Sequence, residues 1–292
     1  MTETASVRRA GSVRTFDGSL IAVTRFGIDE GIPLLVVNAI GATLAVWRRS
    51  LVDTQRQRPI VAWDHRGLHS SGPPKSPRID PGAHAEDAIA ALDRHGFERF
   101  AVASWSNGSR IAIEIATRYP ERVAALTMVS GGYGHAANRL LRLELGAALP
   151  LIASVAKYFS GPLTSGFRGL VARPELVGLI RQSGMVGATA DTGALAELLR
   201  GMADCDLKLL LAEFQEVAGD SAADVLGQIE APTLLIVGDR DQFTPTAMIE
   251  QMARAIPECR TISYEGATHY LPLEYPARLS EDLRHHLSEV GL

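Results

Sequence analysis

Apolar residues fall along this chain in short continuous runs that end in small or charged residues. IPLLVVNAIG (32–41), PIVAWDHRG (59–67), RFAVASWSNG (99–108), RVAALTMVSGG (122–132) and APTLLIVGDRD (231–241) share this form, and CRTISYEGATH (259–269) is a weaker version. Runs that are apolar on both parities predict strands buried on both faces, as in a parallel sheet. SVRTFDGSLIAVTRFG (12–27) reads instead as a hairpin turning at Asp17-Gly18. Helical patterns lie between the runs. PGAHAEDAIAALDRHG (81–96) has Asp80 as an N-cap and Gly96 as a stop, and SRIAIEIATRYP (109–120) halts before Pro120. PTAMIEQMARAIP (245–257) and PARLSEDLRHHLSEV (276–290) are helical as well. The alternation predicts an α/β fold with a mostly parallel sheet and helices on both faces.

Residues 135–228 break this rhythm. They contain no strand-like run, and RLLRLELGAALPLIASVAKYF (139–159) and LKLLLAEFQEVA (207–218) read as helices. We expect a helical cap, 135–228, inserted into a core made of 1–134 and 229–292. Its apolar faces need a platform, and the C-terminal edge of the sheet is the expected one.

Composition narrows the function. The chain has 292 residues, 46% of them apolar and 21% charged, which is globular and ample for a core. A net charge of −4 with no basic block argues against nucleic acid or an anionic membrane as the partner. MTETASVRRAGS lacks the apolar core of a secretory signal. The longest apolar run, LELGAALPLIASVA (143–156), is broken by Glu144 and Pro150 and is too short to cross a bilayer. Two cysteines, Cys205 and Cys259, give no disulfide framework. A cytoplasmic protein acting on a small-molecule substrate, as monomer or homodimer, is the expectation.

AVASWSNGSRIAIEIA (101–116) carries the chemistry. A nucleophilic serine needs exposure at a strand's end, a base within reach and donors for an oxyanion. On a sharp strand-to-helix turn, the residues two before and two after it must be small. Only Ser106 fits, with Ser104 and Gly108 flanking it; Ser104 lies in the strand end and Ser109 in the first helical turn. The alternative is a helix-start turn whose serines merely cap. VGDRDQFTP (237–245) then ends a strand with two aspartates, and EGATHYLPLEYP (265–276) ends the next with His269. The chain order Ser, Asp, His at three strand ends could bring a nucleophile, an acid and a base together.

On these residues the sequence resembles the α/β-hydrolase superfamily over nearly its whole length. Asp64, Arg66 and Gly67 in WDHRGLHSSGPP are similar to the family's D-x-R-G-x-G-x-S loop, with His69 in place of the second glycine. The usual G-x-S-x-G elbow has Ser104 for its first glycine. The resemblance implies an eight-stranded sheet and a serine hydrolase in which Asp241, with Asp239 as its rival, orients His269. It also implies that the backbone N–H groups of Ile40 and Asn107 bind the oxyanion. NAIGATLAVW (38–47) is similar to the matching loop of 3-oxoadipate enol-lactonases, with Asn38 and Ala39 replacing the family's common His-Gly.

The expected reaction is hydrolysis of an ester, lactone or thioester through an acyl-enzyme, with no cofactor and no metal. Leu145, Leu149, Phe159, Phe167 and Met185 are the cap residues expected to line an apolar pocket, and Trp105 either walls it or packs under the elbow. His65 and His69 could line an entrance, while His84, His95, His285 and His286 are expected on solvated or helix-end positions. Hydrolysis of a C–C bond in a ring-cleavage product is the alternative reaction; it needs a clamp such as Arg168 or Asn107 for a substrate carboxylate. A low-turnover small-molecule binding protein is the alternative from another class.

Overall fold

The computed structural model describes residues 8–134, 166, 169, 173–219 and 221–292. Its centre is an eight-stranded sheet in the order β1-β2-β4-β3-β5-β6-β7-β8. The strands are β1 (Arg8–Arg14), β2 (Leu20–Gly27), β3 (Leu34–Val37), β4 (Pro59–Trp63), β5 (Phe100–Trp105), β6 (Val123–Val129), β7 (Thr233–Gly238) and β8 (Cys259–Tyr264). β2 pairs antiparallel with β1 and β4, and the remaining pairs are parallel. β1 and β2 form the expected hairpin, where Gly18 takes φ +83 and the Asp17 carboxylate accepts the Ser19 N–H at 2.9 Å.

Among the described residues the helices are α1 (Pro81–Asp93), α2 (Gly108–Arg118), α3 (Pro174–Gln182), α4 (Thr192–Asp204), α5 (Leu207–Gly219), α6 (Thr246–Ala255), α7 (Leu271–Glu274) and α8 (Pro276–Glu289). Asp80 caps α1 by accepting the Ala83 N–H at 3.0 Å. Side chains alternate through the sheet. Leu35 and Val37 of β3 join a core with α1, α2 and α6, whereas Leu34 and Val36 join the opposite core with α8 and the 3-10 turn Leu44–Trp47. All four β3 residues are buried, as expected of a strand covered on both sides.

Two features place the functional elements. β3 has β4 on one side and β5 on the other, so a crevice opens at the carboxyl ends of β3 and β5, where the connections diverge. Between β6 and β7, α4 packs on the Leu44–Trp47 turn and α5 packs on α2, both at that end of the sheet. Beneath β4, the fully buried Arg66 guanidinium holds the loop after that strand. It donates to Asp87 at 2.6 and 2.8 Å, to Asp17 at 3.0 Å and to the Arg78 carbonyl at 2.8 Å. A buried guanidinium is tolerated here because its donors are shared among two carboxylates and a carbonyl. Burial raises the Asp17 carboxyl, but the hydrogen bonds from Ser76 and Ser19 and the Arg66 charge together hold it well below the usual range.

His65 and His84 do not behave as expected from the sequence. His65 does not line an entrance; it is buried with its ring 4.9 Å from that of His84, itself buried on α1. The carboxyl of Glu213, fully buried on α5, stands 4.0 Å from His84 Nε2. His286 is also buried, whereas His285 is exposed and pairs with Glu289 at 3.2 Å. Burial pushes the Glu213 carboxyl up to about 9, and burial followed by the Arg66 charge pushes His84 down to about 3. All three groups are therefore uncharged near neutrality, since burial and the neighbouring histidines also hold His65 well below its usual value.

Glu213 carries one more proton in the folded than in the unfolded chain between the ordinary value of 4.5 and about 9. Stability therefore falls as pH rises through that window. His84 acts on the acid side, where stability is lost as pH falls from 6.5 towards about 3. Glu213→Gln is expected to raise the thermal midpoint at pH 8 by on the order of 5 °C while changing it by less than about 2 °C at pH 5. Equal shifts at the two pH values in melting experiments would show that the carboxyl's titration is not responsible.

Candidate active site

Ser106 occupies the turn from β5 into α2 with φ +57, a left-handed conformation that few non-glycine residues adopt. Its N–H is held by the Val129 carbonyl at 3.0 Å, and its own carbonyl accepts the Ser109 N–H at 3.0 Å. The turn is tight at Gly108 and against Gly131 on the neighbouring segment. A Cβ on Gly108 would stand 2.8 Å from the Val37 carbonyl oxygen, and one on Gly131 would stand 2.5 Å from Ser109 Cβ. Ser104 and Ser109 are fully buried with their hydroxyls 2.9 Å apart, so neither faces the crevice.

His269 follows β8 and meets Ser106 across the sheet edge, its Nε2 2.7 Å from Ser106 Oγ. Its Nδ1 lies 2.9 and 3.1 Å from the two carboxylate oxygens of Asp241. With Nδ1 protonated, the ring donates to Asp241 and accepts the Ser106 hydroxyl. Asp241 also accepts the N–H groups of Phe243 and Thr244, each at 2.8 Å, so its carboxylate is fixed by its own loop. Asp239, the rival acid, lies away from the ring and accepts the Gly266 N–H at 2.7 Å, which ties the β7 and β8 loops together.

The family model described as serine aminopeptidase, S33, matches residues 54–276, most of the chain. The chain belongs to the S33 family of α/β-hydrolases. It is 25% identical over 270 residues to the dihydrolipoyllysine-residue acetyltransferase component of an acetoin cleaving system from Pseudomonas putida. That match covers 91% of this chain but spans only 66% of the relative. It is 26% identical over 212 residues to a pimeloyl-[acyl-carrier protein] methyl ester esterase of Neisseria meningitidis, covering 72% of this chain and 76% of that protein. The enol-lactonase from Burkholderia xenovorans LB400 has the same fold, with a TM-score of 0.71 at 15% identity over 95% of this chain and 99% of that one.

In this S33 hydrolase the Ser106 hydroxyl opens on a cavity of about 420 Å³. Its walls are Ala39, Ile40 and Ala42 after β3, Leu198 and Met202 of α4, Leu210, Leu211, Phe214 and Val217 of α5, and Phe243, Met248 and Tyr270 nearby. Of the residues expected from the sequence at the pocket, Trp105 lies beside the cavity. Its indole N–H donates to the His269 carbonyl at 3.0 Å. Met185 does not line the cavity. Gly184 turns the chain at φ +75 after α3, which leaves Met185 43% exposed and buries Val186 instead. Leu145, Leu149, Phe159, Phe167 and Arg168 lie outside the described residues. Ile40 N–H is engaged by the side chain of Asn107, whose Oδ1 accepts it at 2.9 Å.

The α5 wall was legible as an apolar stripe at i, i+4 and i+7 (Leu210, Phe214, Val217), but the reading from sequence did not assign it. Glu274 was also missed. Buried on α7, it accepts the Thr268 N–H at 2.8 Å, the Thr268 hydroxyl, and the Gly187 N–H at 2.7 Å. It thereby fastens the residue next to His269 to the chain between α3 and α4. Nothing in its local sequence distinguishes it from a surface carboxylate. His69 turns its Nε2 to the Gly41 carbonyl at 3.2 Å and packs on Cys205.

Close approach also sets the position of the histidine loop. A Cβ on Gly238, the last residue of β7, would stand 2.6 Å from the Ala267 carbonyl carbon and 2.7 Å from the Thr268 oxygen. Gly238→Ala must push that loop away. It is expected to cost about 2–4 kcal/mol in urea unfolding, at or above the usual overpacking cost because backbone has to move. An unchanged unfolding midpoint would mean that the loop is not held against β7.

Proposed function

We propose that Ser106 is the nucleophile, His269 the general base and Asp241 its orienting acid in the hydrolysis of an ester, lactone or thioester of a small apolar substrate. The observation that carries this reading is the unbroken 2.7 Å and 2.9 Å relay from the Ser106 hydroxyl to Asp241, opening on an apolar cavity. Ser106 Oγ attacks the carbonyl while His269 Nε2 takes its proton. Asp241 stabilises the imidazolium that results. The N–H groups of Ile40 and Asn107 receive the oxyanion, and His269 returns the proton to the leaving group. Water activated by the same imidazole then cleaves the acyl-enzyme. The cytoplasmic setting and the small-molecule partner expected from the sequence remain part of this proposal. Among the described residues, no helix is long and apolar enough to cross a membrane.

Two relatives support acyl chemistry by their names, one an esterase of a methyl ester and one an acetyltransferase component. The cavity favours apolar acyl groups over charged ones, because most of its wall is Ala, Leu, Phe and Met side chains that offer a carboxylate no partner. An observation that favours the C–C hydrolase reading is Arg110 at the cavity wall. Its Nη1 is already 2.8 Å from Glu114, which weakens it as a clamp for a substrate carboxylate.

Ser106→Ala is expected to lower turnover of p-nitrophenyl esters by roughly 10⁴-fold or more with the fold intact by circular dichroism. p-Nitrophenyl hexanoate should exceed the acetate in kcat/KM by about tenfold or more, following roughly 0.8 kcal/mol for each buried methylene. Full activity in Ser106→Ala would sink the assignment. Inertness towards every ester, with turnover of a dienoate, would favour C–C cleavage. Absence of any fluorophosphonate label on Ser106 would favour a binding protein.

A further inference from the structure

Asn107 opens α2, where an asparagine ordinarily turns its side chain back to cap the helix. It does not do so here. Its backbone is helical, with φ −65 and ψ −15, and its side chain makes no capping bond. Oδ1 instead reaches across to the loop after β3 and accepts the Ile40 N–H at 2.9 Å. Ile40 is 4% exposed, and both residues border the cavity beside Ser106. A neutral carbonyl of the protein therefore sits on one of the two amides that the hydrolase reading, on which this inference rests, assigns to the oxyanion.

We propose that the Asn107 carboxamide is a placeholder for the oxyanion, which it yields to only when charge develops on the substrate. In the resting protein it satisfies a buried N–H that would otherwise lack an acceptor. An ester carbonyl in the Michaelis complex is a weaker acceptor than an amide carbonyl, so it gains nothing by competing. The tetrahedral oxyanion is a charged acceptor, and its hydrogen bonds are about twice as strong as neutral ones. It displaces the carboxamide, which is only half-buried and can rotate towards the cavity. The Ile40 donor thus contributes to the transition state and not to substrate binding, which is the distribution that raises kcat without tightening the ground state.

Substitutions at position 107 separate a placeholder from a residue that merely holds the loop. Asn107→Ala removes the competitor. It should lower KM for p-nitrophenyl esters and raise kcat/KM by about two- to tenfold, the factor a neutral hydrogen bond is worth. Asn107→Asp keeps the acceptor and the size but seats a charge on the same N–H, and should lower kcat/KM by roughly 30-fold or more. The reverse pattern, a loss in Asn107→Ala with Asn107→Asp close to wild type, overturns the proposal. The wild-type protein supplies a test that needs no variant: its structure after reaction with an alkyl fluorophosphonate. The phosphoryl oxygen is expected on Ile40 N–H with the Asn107 side chain rotated away. A labelled Ser106 with Asn107 Oδ1 still on Ile40 defeats the placeholder alone, whereas a Ser106 that takes no label defeats the hydrolase reading beneath it.

Discussion

The functional end of this molecule depends on how closely three backbone segments approach at the carboxyl end of β5. The turn at Ser106 passes under the carbonyls of Val37 and Asn38 and against Gly131, leaving no room for a Cβ at 108 or 131. A non-glycine residue held at φ +57 costs about 1–3 kcal/mol. Each fully buried aliphatic side chain offsets about 1.5–3 kcal/mol. The four buried residues of β3 alone outweigh the strain, so the sheet can hold the serine in a conformation it would not keep by itself. The strain also has a use, since it lifts the hydroxyl clear of both the strand and the helix.

The histidine is placed by a different means. No strained residue is involved. Its loop is pressed onto β7 through Gly238, pinned at the His269 carbonyl by Trp105, and anchored at Thr268 by Glu274. Asp241 needs no help from the ring to adopt its orientation, because two backbone N–H groups already fix its carboxylate. The 2.7 Å approach of His269 to Ser106 is thus the meeting of two independently supported loops. Precision of this kind matters because a misplacement of about 1 Å can cost on the order of a hundredfold in rate.

Most of the core was legible in the sequence because its signals are local. A run such as LLVV, apolar on both parities, can only be a strand with two buried faces or a buried helix segment, and its flanking turns decide between them. The tight turn at Ser106 was legible because such a turn requires small residues at fixed offsets. Asp241 was separated from Asp239 only by a family resemblance, for both lie in one turn and their different partners, His269 and Gly266, are distant in sequence. The burial of His65, His84 and Glu213 was not legible at all. Each is polar, sits in an ordinary polar or amphipathic context, and becomes buried only when α5 folds over α1 and α2. Met185 failed for the opposite reason: it is apolar, but a glycine turn of one residue's length decides that Val186 faces inward in its place.

The two faces of α5 connect the cavity to that hidden cluster. Leu210, Phe214 and Val217 wall the space in front of Ser106, and Glu213 on the flank of the same stripe lies against His84. A charged carboxylate there would have no donor close enough to compensate its burial, since the nearest ring nitrogen is 4.0 Å away. Keeping its proton lets α5 settle onto the core as though the stripe were uninterrupted. The α5 wall of the cavity therefore depends on a carboxyl remaining neutral, whereas Asp241, behind His269, has three donors around its oxygens. The two carboxyls thus meet opposite surroundings: Asp241 accepts from two backbone N–H groups and faces the His269 ring, whereas Glu213 is buried with no donor among the described residues within hydrogen-bond reach.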